Sequence, residues 1–304
     1  MMRNTLLWAS TNPLLAERLP KYDFVKRATK RFMPGETLDD ALREAERLGK
    51  SDLSTIVTLL GENLAAEDEA DAVVDHYLGA LETIEERGLP SEVSVKLTQL
   101  GLDFGTERTE ERVRRLASAT SSLLWIDMEN SDCVDATLDV FRKVRETNEN
   151  VGVCLQSYLH RTQRDLEALM PLEPSIRLVK GAYNKPPDVA YARKGDVDQN
   201  FVRLTKTLLR ARLDGGQGRP VFATHDPRMI GEANRLAYEM GLKKDRYEFA
   251  MLYGIERDKQ LSLARAGHSV RVLVSYGSAW FPWYMRRLAE RPANVWFVVK
   301  QLVR

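Results

Sequence analysis

The sequence predicts an α/β fold, a (β/α)8 barrel preceded by N-terminal helices. Eight short runs of apolar and β-branched residues recur at intervals too long for β-hairpins, with amphipathic, charge-rich stretches of helical length between them. Strands that alternate with helices are typical of βαβ units and a parallel sheet, and eight such units in about 250 residues match a barrel. No GxGxxG motif follows the first strand, which disfavours the main alternative, an open doubly wound sheet.

Each element follows from its local pattern. In chain order, the predicted strands are Thr55–Leu60, Val93–Thr98, Leu123–Glu129, Val151–Gln156, Ile176–Lys180, Val221–Thr224, Tyr247–Leu252 and Val270–Val274. The clearest predicted helices are Glu67–Arg87, Thr109–Ser122, Cys133–Asn148, Asp198–Leu213 and Arg228–Met240. We therefore divide the chain into an N-terminal helical segment (1–50) that packs on the barrel and the barrel itself (51–304).

Composition and charge exclude several classes of protein. A chain of 304 residues with 43% hydrophobic residues can bury a large core, and a net charge of +1 gives no reason to expect nucleic acid as a partner. Cys133 and Cys154 lack CxxC spacing, and the four histidines form neither HxH nor HExxH, so no metal site is expected. No signal-peptide pattern or membrane-spanning run is found, and we expect a cytoplasmic protein.

Polar residues near the strand ends indicate the site, because barrel active sites form at the C-terminal ends of the strands. Lys96 interrupts an apolar strand and needs a partner, for which Asp127 on the next strand is the natural candidate. The alternative is a structural ion pair that plugs the barrel. Further polar side chains in or just after later strands are Gln156, Arg177, Lys180, Thr224 and His225. This set suits a large anionic cofactor and a small carboxylate.

A predicted helix after the eighth strand carries adjacent arginines. Arg286 and Arg287 follow several aromatic residues, and paired guanidinium groups beside aromatic rings can bind an anion that has an apolar body. Glu290 falls three and four residues later and can hold the arginines in place. The alternative is a surface helix with ordinary ion pairs.

Taken together, the chain resembles the flavin-dependent proline dehydrogenases, in particular the compact monofunctional bacterial type. The resemblance covers nearly the whole chain and rests on VSVKLTQLGLD (93–103), WIDMENS (125–131), VGVCLQSYLHRT (151–162), IRLVKGAY (176–183), FATHDP (222–227), YEFAMLYG (247–254) and the YG…RRLAERPAN block (276–294). It implies a distorted (β/α)8 barrel that binds FAD noncovalently at the C-terminal ends of its strands.

The resemblance also implies roles for individual residues. Asp127 and Arg177 would be catalytic, with Arg177 near the flavin N5 and Asp127 orienting Lys96. Arg286 and Arg287 would clamp the substrate carboxylate, with Lys96 as a third cation and Leu273 beside the substrate ring. Glu62 would pair with Arg286 as a gate, and Glu290 would support the arginines. The residues implied to bind the cofactor are Met128, Gln156, Lys180, Gly181, Ala182, Thr224 and His225.

The implied reaction is hydride transfer from C5 of L-proline to N5 of FAD, which gives Δ1-pyrroline-5-carboxylate and passes electrons on to a quinone. A peripheral membrane contact and coupling to a pyrroline-5-carboxylate dehydrogenase are compatible with this resemblance. Some positions depart from the family's pattern: Leu273 replaces a usual tyrosine, Ser275 a common proline, Ala250 a usual glutamine, and Phe281 and Trp283 usual tyrosines. Two alternatives therefore stay open: the same chemistry on another cyclic amino acid, such as hydroxyproline or a substituted proline, and a non-catalytic flavin- or proline-binding barrel.

Overall fold

The fold is taken from a computed structural model of the chain. It describes residues 29–61, 64–181 and 185–290, and within the last helix it describes the side chains only as far as Met285. Glu62 and Ala182 therefore lie outside the described residues. The division at residue 50 stays a prediction, because residues 1–28 and 291–304 also lie outside them.

Eight parallel strands close into a barrel, which confirms the predicted fold class. Each strand pairs with the next along the chain, and the eighth pairs with the first. The strands are β1 (Ser54–Leu59), β2 (Ser91–Val95), β3 (Leu124–Ile126), β4 (Val151–Gln156), β5 (Ser175–Val179), β6 (Pro220–Ala223), β7 (Glu248–Leu252) and β8 (Ser269–Tyr276).

Helices provide the crossovers that parallel neighbours require. Helix α1 (Leu38–Gly49) precedes the barrel and contacts β1 and β8. The helices after β1 to β8 are, in turn, α2 (Asp68–Glu86), α3 (Thr106–Ser118), α4 (Val134–Arg145), α5 (Thr162–Leu169), α6 (Lys194–Leu213), α7 (Pro227–Glu239), α8 (Arg257–Arg265) and α9 (Trp280–Glu290). None of the helices in the described ranges is long and apolar enough to cross a membrane.

Local capping explains where α1 begins. Thr37 Oγ1 accepts a hydrogen bond from the Asp40 backbone N–H at 3.1 Å, and Asp40 Oδ2 accepts one from the Thr37 backbone N–H at 3.2 Å. This capping box satisfies N–H groups that the first helical turn leaves without partners. The helix then buries one face against the barrel, through Ala41, Leu42, Ala45 and Leu48.

Most strand bounds lie within two residues of the prediction, but the C-terminal ends of β2 and β3 each come three residues earlier than predicted. β2 ends at Val95 rather than Thr98, because Leu97–Leu100 form a 3-10 turn. That turn closes at Gly101, whose φ is +90° and where a Cβ would lie 2.6 Å from Arg112 Nη1. β3 is also shorter than predicted and spans only Leu124–Ile126. Both strands therefore stop before Lys96 and Asp127, which lie on the connections that follow them.

Candidate active site

The barrel lumen is divided into layers by the indole of Trp125. This side chain is fully buried, and it packs with Ile56, Val221 and Ala250, against which Leu273 is partly buried. On β4, Gly152 makes room for the indole, since a Cβ there would lie 2.7 Å from Trp125 Cζ3. The arginine Cζ atoms of Arg177 and Arg219 lie 5.3 and 5.6 Å from the ring centroid, close enough for cation–π attraction.

Arg177, which was predicted to lie near the flavin N5, is a buried cation. Its Nη2 donates to Ser94 Oγ at 3.0 Å and to Asp127 Oδ1, whereas its Nη1 is buried and has no partner among the described residues. Burial alone would lower the pKa of this guanidinium, but the charge and hydrogen bond of Asp127, together with the neighbouring Cys154, outweigh burial and raise the pKa above its ordinary value. Arg177 is therefore held as a cation with one donor atom unused.

Lys96 and Asp127 do form the predicted ion pair, but it is a loose one. Lys96 Nζ lies 3.9 Å from Asp127 Oδ2 and also donates to Thr58 Oγ1 at 3.3 Å and to the Leu59 carbonyl at 3.2 Å. Ser94 Oγ donates to Asp127 Oδ1 at 2.7 Å. Arg177 is thus the closer partner of Asp127, which contacts both Lys96 and Arg177.

Gln156, the last residue of β4, is hydrogen-bonded to the segment that follows β3. Its Nε2 donates to the carbonyls of Met128 and Glu129, each at 3.1 Å, and its Oε1 is buried without a partner in the described part of the chain. Glu129 does not join the lumen carboxylate Asp127, because it accepts hydrogen bonds from the Thr98 backbone N–H at 3.1 Å and from Thr98 Oγ1 at 2.5 Å. Gln156 therefore leaves one acceptor at the barrel mouth.

Lys180 lies in a charge network at the rim of the barrel. Its Nζ donates to Asp198 Oδ1 at 2.5 Å and to Asp226 Oδ2 at 2.8 Å, and Lys194 Nζ donates to Asp198 Oδ2 at 2.8 Å. The next residue, Gly181, has a φ of +102°, and a Cβ there would lie 2.2 Å from the Tyr158 ring. This close approach explains the glycine.

The remaining predicted positions lie around the same mouth. Thr224 follows β6 and its Oγ1 accepts from the Asp226 backbone N–H at 3.1 Å, while His225 Nε2 accepts from the Leu252 backbone N–H at 3.3 Å. Arg286, Arg287 and Glu290 lie on the α9 backbone, but their side chains fall outside the description. The structure therefore brings Lys96, Asp127, Gln156 and Arg177 together and gives no contact for the arginine pair.

Sequence reasoning missed the opposite end of the lumen, which we call the floor. The floor consists of two arginines and two glutamates: Glu92, Arg219, Glu248 and Arg271. Each arginine contacts both carboxylates, at 2.6 and 3.4 Å for Arg219 and at 3.3 and 2.6 Å for Arg271. Trp125 Nε1 donates to Glu92 Oε2 at 2.7 Å. The period-two position of Glu92 relative to Ser94 and Lys96 was the available signal.

Comparison with known proteins gives a consistent family. The sequence profile of the proline dehydrogenase family matches residues 41–300. Proline dehydrogenase 1 of Bacillus subtilis (strain 168) is 36% identical over 307 residues, which cover 100% of both chains. The proline dehydrogenase of Deinococcus radiodurans is 38% identical over 282 residues, which cover 90% of this chain and 89% of that one.

Solved structures agree on the fold. Proline utilization A (PutA) from Bdellovibrio bacteriovorus, inactivated by N-propargylglycine, superposes with a TM-score of 0.82 at 24% identity and covers 95% of this chain. PutA from Corynebacterium freiburgense superposes with a TM-score of 0.74 at 20% identity and covers 99% of this chain. The match covers only 36% and 34% of those longer chains. The sequence matches above, over a fold that these structures share, show that this chain belongs to the proline dehydrogenase family.

Proposed function

We propose that the chain is an FAD-dependent enzyme that oxidises L-proline to Δ1-pyrroline-5-carboxylate. The observation that carries the proposal is the hydrogen-bonding capacity left at the barrel mouth. Arg177 Nη1 and Gln156 Oε1 are buried and have no partner among the described residues. A buried polar atom without a partner is unfavourable, so a bound group that supplies an acceptor to Arg177 and a donor to Gln156 would stabilise the site.

These residues fit a flavin, whose ring carries both donors and acceptors. FAD would supply the two-electron oxidation by accepting hydride at N5 from C5 of proline. Arg177 would stabilise the negative charge that develops on the flavin. Gln156, Met128, Gly181, Thr224 and His225 would hold the cofactor, together with Ala182. Because the Lys180 ammonium contacts Asp198 and Asp226, Lys180 would contact the cofactor through its backbone.

A groove beside the Lys180 network has room for the nucleotide part of the cofactor. Its volume is about 640 Å³, and it lies between the N-terminal ends of α6 and α7. Cationic side chains on this groove are Lys194 and Arg228, and Arg228 Nη2 donates to Asp198 at 2.6 Å. The carboxylates of Asp198 and Glu232 also line the groove, so the two helix N-termini are the feature that favours phosphate groups.

The substrate would be oriented by its carboxylate. Arg286 and Arg287 would clamp this group, Lys96 would add a third cation, and Glu62 and Glu290 would act as gate and support. Fixing the carboxylate at one end of the ring holds C5 against the flavin at the other. Electrons would then pass to a quinone at a peripheral membrane contact, and the product would pass to a pyrroline-5-carboxylate dehydrogenase.

Flavin colour tests the proposed function directly. We expect protein purified with FAD to be yellow and to bleach when L-proline is added without oxygen. Protein that stays colourless after FAD is supplied would contradict the flavoenzyme. Yellow protein that no cyclic amino acid bleaches would instead favour a non-catalytic binding barrel.

The second candidate function is the same chemistry on another ring. Leu273 is partly buried against the apolar lumen cluster of Ile56, Trp125, Val221 and Ala250. Because its side chain is a hydrocarbon, it offers no hydrogen bond to a ring substituent. Apolar rings are therefore favoured over hydroxylated ones within this alternative. A panel of L-proline, 4-hydroxy-L-proline and L-pipecolate tests it, and a much higher kcat/KM for L-proline than for the others would exclude it.

The clamp has its own test. Arg286→Met or Arg287→Met should raise the KM for L-proline about ten- to a hundredfold, because each charge-assisted contact to a carboxylate contributes roughly 1.5–3 kcal/mol. Bound FAD should stay in place. Arg265→Met, at an exposed position on α8, is the control. An unchanged KM in both clamp variants would show that the carboxylate is held elsewhere.

A further inference from the structure

A short segment before α1 packs on the first turns of α9. We call residues 29–36 the brace. Trp280 Nε1 donates to Glu36 Oε1 at 2.9 Å, and the Phe32 and Tyr284 rings lie 6.0 Å apart. Phe32, Trp280 and Tyr284 are almost fully buried. The brace therefore contacts the helix that carries the predicted substrate clamp.

The brace is itself fixed to the barrel. Its Arg31 carbonyl approaches Gly254, on the connection from β7 to α8, so closely that a Cβ there would lie 1.6 Å from the oxygen. Gly254 has a φ of +74°. Within the brace, the backbone N–H groups of Phe32 and Met33 donate to the Thr29 carbonyl at 2.8 and 3.0 Å. Glu36 is thus presented from a segment whose position the barrel determines.

A glycine, Gly277, also joins α9 to the end of β8. Gly277 follows β8 with a φ of +114°, and a Cβ there would lie 2.9 Å from Leu59 Cδ1 and 3.2 Å from the Leu60 backbone nitrogen. Ser278 and Ala279, between this joint and the helix, are exposed. A joint of this kind fixes where a helix starts but not its tilt, so the side-chain contacts of its first turns, Glu36–Trp280 among them, contribute to the direction of α9.

We propose that Glu36 is a positioning residue for the substrate: by holding Trp280, it sets the position of Arg286 and Arg287. This inference rests on the proposed clamp. A helix rises 1.5 Å per residue, so Arg286 lies about 9 Å along the axis from Trp280 and moves with any change in tilt. The contact joins a donor to a carboxylate, which makes it stronger than a neutral hydrogen bond.

Kinetics of two variants test the inference. Glu36→Ala removes the acceptor, and Trp280→Phe removes the donor but keeps an aromatic ring. Each should raise the KM for L-proline about three- to tenfold with kcat within about twofold, because the hydrogen bond orients the clamp and does not touch the reacting atoms. FAD content should stay near that of the parent protein in both variants, and so should the Tm of Glu36→Ala, whereas Trp280→Phe also removes buried volume and should lower the Tm. Glu36→Gln, which keeps an acceptor, should restore most of the affinity, and Glu46→Ala, exposed on α1, is the control.

A double-mutant cycle separates this contact from general destabilisation. The Glu36→Ala, Trp280→Phe double variant should have nearly the KM of either single variant, since both remove the same hydrogen bond. Additive effects, an unchanged KM, or a KM change in Glu36→Ala that follows loss of FAD or Tm would overturn the inference. If Arg286→Met raises KM while Glu36→Ala does not, the positioning role alone is wrong. If neither arginine variant raises KM, the clamp itself is wrong.

Discussion

The floor and the mouth of the barrel both contain cations paired with carboxylates but differ in how completely the charges are paired. On the floor, two arginines face two glutamates, and each arginine contacts both carboxylates. At the mouth, Lys96 and Arg177 share the single carboxylate Asp127. The indole of Trp125 lies between the two sets.

Pairing of charges and hydrogen bonds within the protein distinguishes a structural network from a binding site. Buried charges persist when they are paired and hydrogen-bonded. The floor meets that condition within the protein, with only Nε of Arg219 left over among its charged atoms. In the mouth cluster, Lys96 and Arg177 share the one carboxylate of Asp127, and Arg177 Nη1 and Gln156 Oε1 are buried without partners among the described residues. An anionic, hydrogen-bonding ligand, as proposed above, would complete the mouth, whereas the floor is paired within the protein.

The largest expected effect comes from breaking the floor. Glu92→Gln should lower the free energy of unfolding by about 3–5 kcal/mol, because removing one partner leaves a buried charge without compensation. The value should fall near the lower end, since the Arg219 side chain is 25% exposed. Denaturant unfolding of the FAD-bound protein measures it. The kcat and KM of the folded protein should change less than about twofold, and a large loss of kcat would contradict the distinction.

Arg177→Met tests the mouth. The rate of flavin reduction by L-proline should fall about 10²–10³-fold, the range for removing one preorganised group that stabilises developing charge. Arg177→Lys keeps the charge but loses the two-pronged set of guanidinium donors, so its rate of flavin reduction should lie between those of the parent protein and Arg177→Met. Anaerobic single-turnover absorbance measures both. Flavin reduction at the parental rate in Arg177→Met would exclude this role.

Gly152→Ala probes the layer between floor and mouth. The added Cβ would lie 2.7 Å from the Trp125 ring, and overpacking of this kind costs about 1–3 kcal/mol. Thermal unfolding measures the loss, and Gly231→Ala on α7, where a Cβ meets nothing within 4 Å, is the matched control. Equal stability in the two variants would mean that the indole shifts freely.

Much of the fold could be predicted from sequence, because strands and helices differ in hydrophobic period and alternate regularly. The Val151–Gln156 strand agrees residue for residue. The short helices α5 and α8, with 8 and 9 residues, were not predicted individually, since so few turns give a weak periodic signal. The end of β2 was missed because the 3-10 turn at Leu97–Leu100 continues the apolar pattern.

The site was predicted less completely, because contacts across a lumen depend on register. Sequence alternation put Lys96 and Asp127 near each other, and the structure contains that pair. It could not show that Arg177, from β5, reaches Asp127 more closely, or that Ser94 contacts both. Nor could it show that Asp198 and Asp226 converge on Lys180 from two different helices' N-terminal regions.

The Lys180 network is an intermediate case, because it lies at the mouth but its charged groups are paired with one another, as they are on the floor. Burial would raise the pKa of Asp226, but hydrogen bonds from Lys180 and the Arg228 backbone outweigh burial and lower the pKa to about 2. A carboxyl with a depressed folded-state pKa contributes stability that is complete above its ordinary pKa of about 3.9 and is lost as the pH falls towards 2.

Asp226→Asn should therefore lower the free energy of unfolding by less than about 1 kcal/mol at neutral pH, as for partly exposed ion pairs. The variant should also lose less of its stability than the parent protein as the pH falls from 4 to 2. Urea unfolding at several pH values measures both, with the exposed Asp258→Asn on α8 as control. If the Asp226 variant kept the parental pH profile, this network would not stabilise the protein, and the Lys180 ammonium would be free to bind the cofactor.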